Sequence, residues 1–237
     1  MEDAVVRTEP GISRLVSRLF GSSLGLKYLM AVTGLAMVGF VVSHMAGNLL
    51  VYAGPDAING YALGLRKLGA LLWLARGGLL LAAVLHIWAA WQLTVRNRQA
   101  RPVPYQMQAT VQASFASRTM RWTGVIVLAF LVYHLAHYTL LVANPEYATF
   151  RTPEGHQDVY RMVVTGFSNP VISLFYIFAN VLLGMHLSHG IASMFQSMGW
   201  LSDQYRPLVS TLARGLAWGL IAGFVAVPLG VLTGVVR

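Results

Sequence analysis

The chain has 237 residues, 56% of them hydrophobic and only 11% charged, where a soluble domain carries about a quarter. The formal net charge is +9, but the basic residues gather at the ends of apolar runs, a pattern of membrane topology rather than of nucleic-acid binding. There is no cysteine, which excludes disulfides, Cys-ligated iron–sulfur clusters within this chain and covalent c-type haem attachment.

A mixed-charge segment with Glu2, Asp3 and Glu9 precedes the first apolar run, and no cleaved secretory signal is expected there. Crossing the hydrocarbon core takes roughly 20 apolar residues as a helix. Five stretches qualify, at about 24–52, 70–95, 121–144, 170–197 and 208–235. The first follows Ser22-Ser23 and ends at Tyr52, before Gly54-Pro55-Asp56. The second stops before Arg96-Asn97-Arg98, and the third runs from Arg121 to Asn144-Pro145-Glu146. Asn169-Pro170 starts the fourth, and the fifth follows Pro207 and carries Pro228, expected to kink it. The short breaks between runs leave room for one transmembrane unit over residues 1–237 and for no separate soluble domain.

Lys and Arg counts orient the runs. One side collects Arg7, Arg14, Arg18, Lys27, Arg96, Arg98, Arg101, Arg118, Arg121, Arg206 and Arg214. The other side has fewer, diluted by Asp56, Glu146, Glu154 and Asp158. The amino terminus is therefore expected in the cytoplasm, the carboxyl terminus outside, and 145–169 as a small structured cap on the outer surface.

Six of seven histidines fall inside the runs: His44 in the first, His86 in the second, His134 and His137 in the third, His186 and His189 in the fourth. A lone membrane histidine often makes only an interhelical hydrogen bond. Six of them over four helices, with no Asp or Glu in any run, point to function. Depth sorts them: His44 with His134 in an outer layer, His86 with His186 in an inner layer, roughly 10–15 Å apart. Thr33-Gly34, Phe40, Val42 and His44 recur as Thr123-Gly124, Phe130, Val132 and His134 at an offset of 90 (44 to 134), which supports the outer pair. No such match links the second and fourth runs, so the inner pair rests on depth alone. The expectation is an all-α integral membrane protein whose first four helices form a bundle around two b-type haems, with bis-His ligation. His137 and His189 are left as hydrogen-bonding groups.

These residues resemble a known family, the cytochrome b membrane subunit of succinate:quinone oxidoreductases in its single-chain, five-helix, di-haem type. The resemblance is carried by Val42-Ser43-His44-Met45-Ala46-Gly47-Asn48-Leu49, Val84-Leu85-His86, Ala100-Arg101-Pro102, Ser117-Arg118-Thr119-Met120-Arg121-Trp122-Thr123-Gly124, Gly166-Phe167-Ser168-Asn169-Pro170 and Gly184-Met185-His186-Leu187-Ser188-His189-Gly190. It implies that the chain docks an FAD flavoprotein and an iron–sulfur subunit on the inner side. It also implies that electrons pass between that subunit and a membrane quinone, menaquinone being favoured, in the tricarboxylic acid cycle or its reverse, with the dicarboxylate chemistry on another subunit. His44, His86, His134 and His186 fall on the family's ligand positions, with Lys27, Arg118, Arg121 and Trp122 as propionate contacts. Some relatives place a glutamate where this chain has Gly184, so a carboxylate proton relay through the membrane is in doubt. Asn48, Tyr52, Lys67, Trp73 and Arg76 offer polar groups at the outer interface for quinone. Two other readings stay open: the cytochrome b subunit of another quinone-linked dehydrogenase, such as a hydrogenase or formate dehydrogenase, and a histidine-lined transporter.

Overall fold

The computed structural model describes residues 11–101 and 114–237. Five long apolar helices dominate: α2 (Ser23–Leu49, continued by a 3-10 turn Leu50–Ala53), α4 (Ala70–Gln99), α5 (Phe115–His134), α7 (Pro170–Ser197) and α8 (Arg206–Leu232). Three shorter helices flank them: α1 (Gly11–Gly21), α3 (Pro55–Lys67) and α6 (Val159–Phe167). Each of the five is long and apolar enough to cross a membrane, and the chain is an all-α integral membrane protein. Among the described residues the sole extended pairing is one antiparallel bridge between Arg151 and Gln157.

Local chemistry sets the helix starts. The Ser22 hydroxyl accepts from the Gly25 amide at 2.9 Å, satisfying one of the free donors at the start of α2. Asn169 does the same for Val171 and Ile172, with Pro170 opening α7 where its missing amide is harmless. The expected kink site, Pro228, is buried inside α8, and the helix stays continuous through it. Beside it the Tyr52 hydroxyl donates to the Ala226 carbonyl at 2.6 Å, supplying a neighbour's support of the kind such helices use.

Two spans have boundaries that depart clearly from the sequence expectation. The second span runs on to Gln99 because Arg96-Asn97-Arg98 stay helical, and Arg96 donates to the Gly21 and Phe20 carbonyls at the end of α1. The third begins at Phe115, six residues before 121, where the Ser114 hydroxyl accepts from the Ser117 amide. Its far end is shorter than expected: after His134 the chain adopts a π-helical turn, Leu135–Thr139, and Leu141 takes a positive φ of 57°. A bulky residue in that region ends a helix firmly.

α2 packs on α4, and α5 on α7; α7 and α8 lie together and both reach α2. The loop after α2 and the segment 145–169 fold over one end as a cap that includes α3, the turn Pro145–Thr149 and α6, matching the structured cap expected there. Asn59 clasps its halves: its carbonyl oxygen accepts from the Val159 and Tyr160 amides (2.8 and 3.0 Å), and its amide donates to Asp158 at 3.1 Å. Val51, Ile58, Val163, Phe167, Tyr176, Val227, Val231 and Val236 form a core under this cap. The opposite end has a smaller core of Leu26, Ala89 and Leu93 and carries the arginine-rich rim. These are called the outer and inner ends below.

Candidate functional site

The histidines sit where α2, α4, α5 and α7 face one another. At the inner level His86 Nδ1–H donates to the Met30 carbonyl at 3.0 Å, and Thr33 Oγ1 lies 3.3 Å from the same nitrogen. The Thr33 hydroxyl proton is committed to the Leu29 carbonyl at 2.7 Å, so towards the imidazole its oxygen can only accept. His186 repeats the arrangement: its ring bonds the Met120 backbone, and Thr123 Oγ1 lies 3.4 Å from Nδ1. With the proton held on Nδ1, Nε2 keeps its lone pair, which is the state a metal-binding histidine needs. A Cβ on Gly34 would stand 3.3 Å from His86 Cε1, and one on Gly124 would stand 3.4 Å from His186 Cε1. Larger residues there would push the rings aside.

The repeat noted in the sequence thus holds the inner pair. Met30 and Met120, Thr33 and Thr123, and Gly34 and Gly124 are each 90 apart, and each set seats one inner histidine. Thr33 is 11 residues from His44, about 16 Å along α2, too far to touch the outer level. The layers are therefore roughly 16 Å apart, slightly beyond the expected interval.

At the outer level the His44 and His134 rings meet with centroids 5.8 Å apart and planes 79° apart. Phe40 stacks on His44 at 5.3 Å, and its repeat counterpart Phe130 lies 5.8 Å from His134. α8 adds Phe224, 6.1 Å from His44.

His137 is different in kind. It is fully buried, and both nitrogens are engaged: Nδ1 with the Tyr176 hydroxyl at 3.0 Å and Nε2 with the Tyr147 hydroxyl at 3.4 Å. Tyr176 also stands 3.5 Å from His134 Nδ1. A polar column thus runs from His134 through Tyr176 and His137 to Tyr147 in the cap. Tyr138, in the same π turn, buries a hydroxyl with no partner among the described residues. His189 Nε2 bonds Ser193 at 3.0 Å, and His156 lies in the cap loop. Tyr176 and the two methionine carbonyls were not singled out from sequence, and Tyr147 was read only as part of the cap. A tyrosine in an apolar run reads as packing, and a carbonyl has no letter of its own.

Outside the spans, burial and the charge of Glu146 push the Tyr147 hydroxyl up to about 12. The Asn144 amide bonds Glu146 at 3.0 Å and, with its own backbone, holds that carboxyl below its ordinary value. Burial, then the nearby Arg76 and Arg151 guanidiniums, lowers Arg66. Arg76 stacks on Trp73 at 5.1 Å, which gives that charge its partner at the membrane interface. The Tyr52 hydroxyl, one of the groups considered for quinone, is committed to Ala226.

Of the remaining expected contacts, Arg121 lines an inner-end cavity with Arg98 and Arg101. Lys27, Arg118 and Trp122 are exposed near the same end, Trp122 by 74%.

Whether haem suits these residues is a question of donor chemistry. Among the described residues no three His, Cys, Asp or Glu side chains converge, whereas a tetrahedral metal ion asks for three or four protein ligands. Paired imidazoles with a free Nε2 suit an iron whose equatorial positions a porphyrin already fills. The residues fit.

The sequence model of one family matches residues 94–227, more than half of the chain, and is described as the succinate dehydrogenase/fumarate reductase transmembrane subunit. No curated protein and no solved structure matches the chain. The matched stretch takes in the end of α4 and nearly all of α5 to α8, including His134, His137, His186 and the 145–169 part of the outer cap; the chain belongs to the succinate dehydrogenase/fumarate reductase transmembrane subunit family.

Proposed function

We propose that the chain is the di-haem membrane anchor of its complex, conducting electrons between an iron–sulfur partner and membrane quinone. The observation that carries this reading is the duplicated seat of His86 and His186, a carbonyl, a threonine hydroxyl and a glycine around each ring, with His44 and His134 in ring contact one layer away. His86 and His186 would hold the inner haem, and His44 and His134 the outer one. Lys27, Arg118, Arg121 and Trp122 would meet inner propionates. Haem b held by such pairs would supply a one-electron carrier that does not readily bind oxygen.

The protein's own part is to fix imidazole tautomers and to exclude water from the rings. The basic end faces the cytoplasm in this reading, so the flavoprotein and iron–sulfur subunits dock beside the inner pair in the cytoplasmic membrane. Quinone, menaquinone by the family's subunit type, would exchange near the outer end. No span contains Asp or Glu, so protons of quinone chemistry there would move along the His137–Tyr147 column or through water.

A reduced-minus-oxidised spectrum of the purified complex, with haem quantified per chain, tests the reading. A b-type alpha band and two haems per chain are expected. Absence of the band would sink it.

A further inference from the structure

Four groups form the polar column at the outer level: the His134 ring, the Tyr176 hydroxyl, the His137 ring and the Tyr147 hydroxyl. Contacts of 3.5, 3.0 and 3.4 Å join them in that order. Each neutral imidazole carries one N–H, and each hydroxyl one O–H. Tyr176 touches two imidazole nitrogens with a single proton, so it donates to one and accepts from the other. Its choice fixes the rest of the column.

Two arrangements satisfy every contact. In one, Tyr176 donates to His137 Nδ1, His137 donates from Nε2 to Tyr147, and His134 donates from Nδ1 to Tyr176. In the other every donor is reversed: Tyr147 donates to His137 Nε2, His137 Nδ1–H to Tyr176, and Tyr176 to His134 Nδ1. The first leaves a bare lone pair on His134 Nε2, and the second puts the proton there. A protonated imidazole nitrogen is no metal ligand.

The geometry favours the first arrangement. The shorter of the two Tyr176 contacts is the one to His137, as suits the hydroxyl's own donation. Tyr176 is 4% exposed, and Phe130 and Phe167 stand edge-on to its ring at 5.1 and 5.0 Å, so the hydroxyl is held in place. The inner rings bond the backbone of Met30 and Met120. Among the described residues, His134 has the Tyr176 hydroxyl in that position instead.

We infer that Tyr176 and His137 are positioning residues for the outer haem: by taking the Tyr176 proton, His137 sets the tautomer of His134 that can bind iron. The inference rests on the haem reading above. His137 acts through Tyr176 and does not itself ligate, since both of its nitrogens are engaged.

The test uses the purified complex, with excess apomyoglobin as haem acceptor and the outer and inner alpha bands followed separately; the inner band is the control for folding. Tyr176→Phe deletes the link to His134. His137→Leu deletes only the acceptor of the Tyr176 proton, and His137→Asn keeps an acceptor in its amide oxygen. With the acceptor gone, Tyr176 turns its proton to His134 Nδ1 and selects the tautomer that cannot ligate. His137→Leu is therefore expected to speed loss of the outer haem by about tenfold or more, and by more than Tyr176→Phe does. His137→Asn should stay near the parent rate. Combining His137→Leu with Tyr176→Phe removes the misdirected hydroxyl, so loss slows again to the rate of Tyr176→Phe alone. A purely structural role would add the two defects instead. The inference is overturned if the double variant loses the outer haem as fast as His137→Leu, if His137→Leu matches the parent, or if His137→Asn is no slower than His137→Leu. A parent complex without a b-type band would overturn the haem reading and this inference together, whereas the variant outcomes overturn this inference alone.

Discussion

The hydroxyl of Tyr176 lies 3.0 Å from His137 Nδ1, inside a bundle whose five spans contain no carboxylate. The bond crosses from the π turn after α5 to the second turn of α7, and it leaves His137 with no nitrogen free for a metal. A π turn at this position sets His134 and His137 on neighbouring faces of one helix, one ring towards His44 and the other into tyrosines.

Removing that hydroxyl is the direct test of what the bond does. Tyr176→Phe is expected to cost about 1–3 kcal/mol, because His137 is left buried with an unmet partner. Thermal unfolding should begin at a lower temperature while haem content is unchanged. A variant as stable as the parent would show that the hydroxyl is idle.

Ligand assignments separate by layer. His44→Ala or His134→Ala is expected to remove the outer haem and spare the inner one, and His86→Ala or His186→Ala to do the reverse. Haem per chain, read with the alpha-band position, decides this. Loss of only the inner haem from the His44 variant would mean that the pairing is wrong.

Gly34 and Gly124 offer a test that leaves every histidine in place. A leucine at either position must occupy space within about one atom's width of a ring edge, given gaps of 3.3 and 3.4 Å to the first added carbon. Gly34→Leu and Gly124→Leu should each diminish the inner haem while the outer alpha band persists. Equal loss of both bands would indicate general misfolding instead.

The cap rests on Asn59, whose side chain makes three bonds across to residues 158–160. Asn59→Ala should destabilise this region by roughly 1–3 kcal/mol, since two amides lose their acceptor. Faster hydrogen exchange at Val159 and Tyr160, with α4 unchanged, is the expected signature.

Alkaline pH should loosen the same cap through Tyr147. In the unfolded chain its hydroxyl ionises near its ordinary value of 10.0, but in the fold only at about 12. The folded form therefore holds its proton longer, and stability falls as pH rises from about 10 towards 12. Unfolding temperature should be level below pH 9 and decline above 10, with a weaker decline in Tyr147→Phe.

The five spans were legible because each is a long apolar run, and the histidines stood out because ionisable groups in such runs are costly. The ends of the third span were not. Ser114 caps it ahead of the apolar stretch, and the π turn with Leu141 stops it inside that stretch, where composition carries no mark. α3 and α6 escaped because short helices with mixed faces resemble loops by composition. The Thr-Gly repeat was visible, but the rings it touches were not. Three turns of helix separate Thr33 from His44, so the motif serves the ring that α4 brings alongside, and a single strand of sequence does not display that neighbour.

The repeat divides the bundle into two halves, α2 with α4 and α5 with α7, and each histidine pair draws one member from each half: His44 with His134, His86 with His186. Neither half owns a complete pair. A group gripped by both members of a pair would act as a rivet between two separately threaded hairpins, holding them together by mass action. Supply of that group during synthesis would then govern how much of the chain survives in the membrane, and starvation for it should be read out as shortened lifetime of the protein before any loss of its turnover is seen.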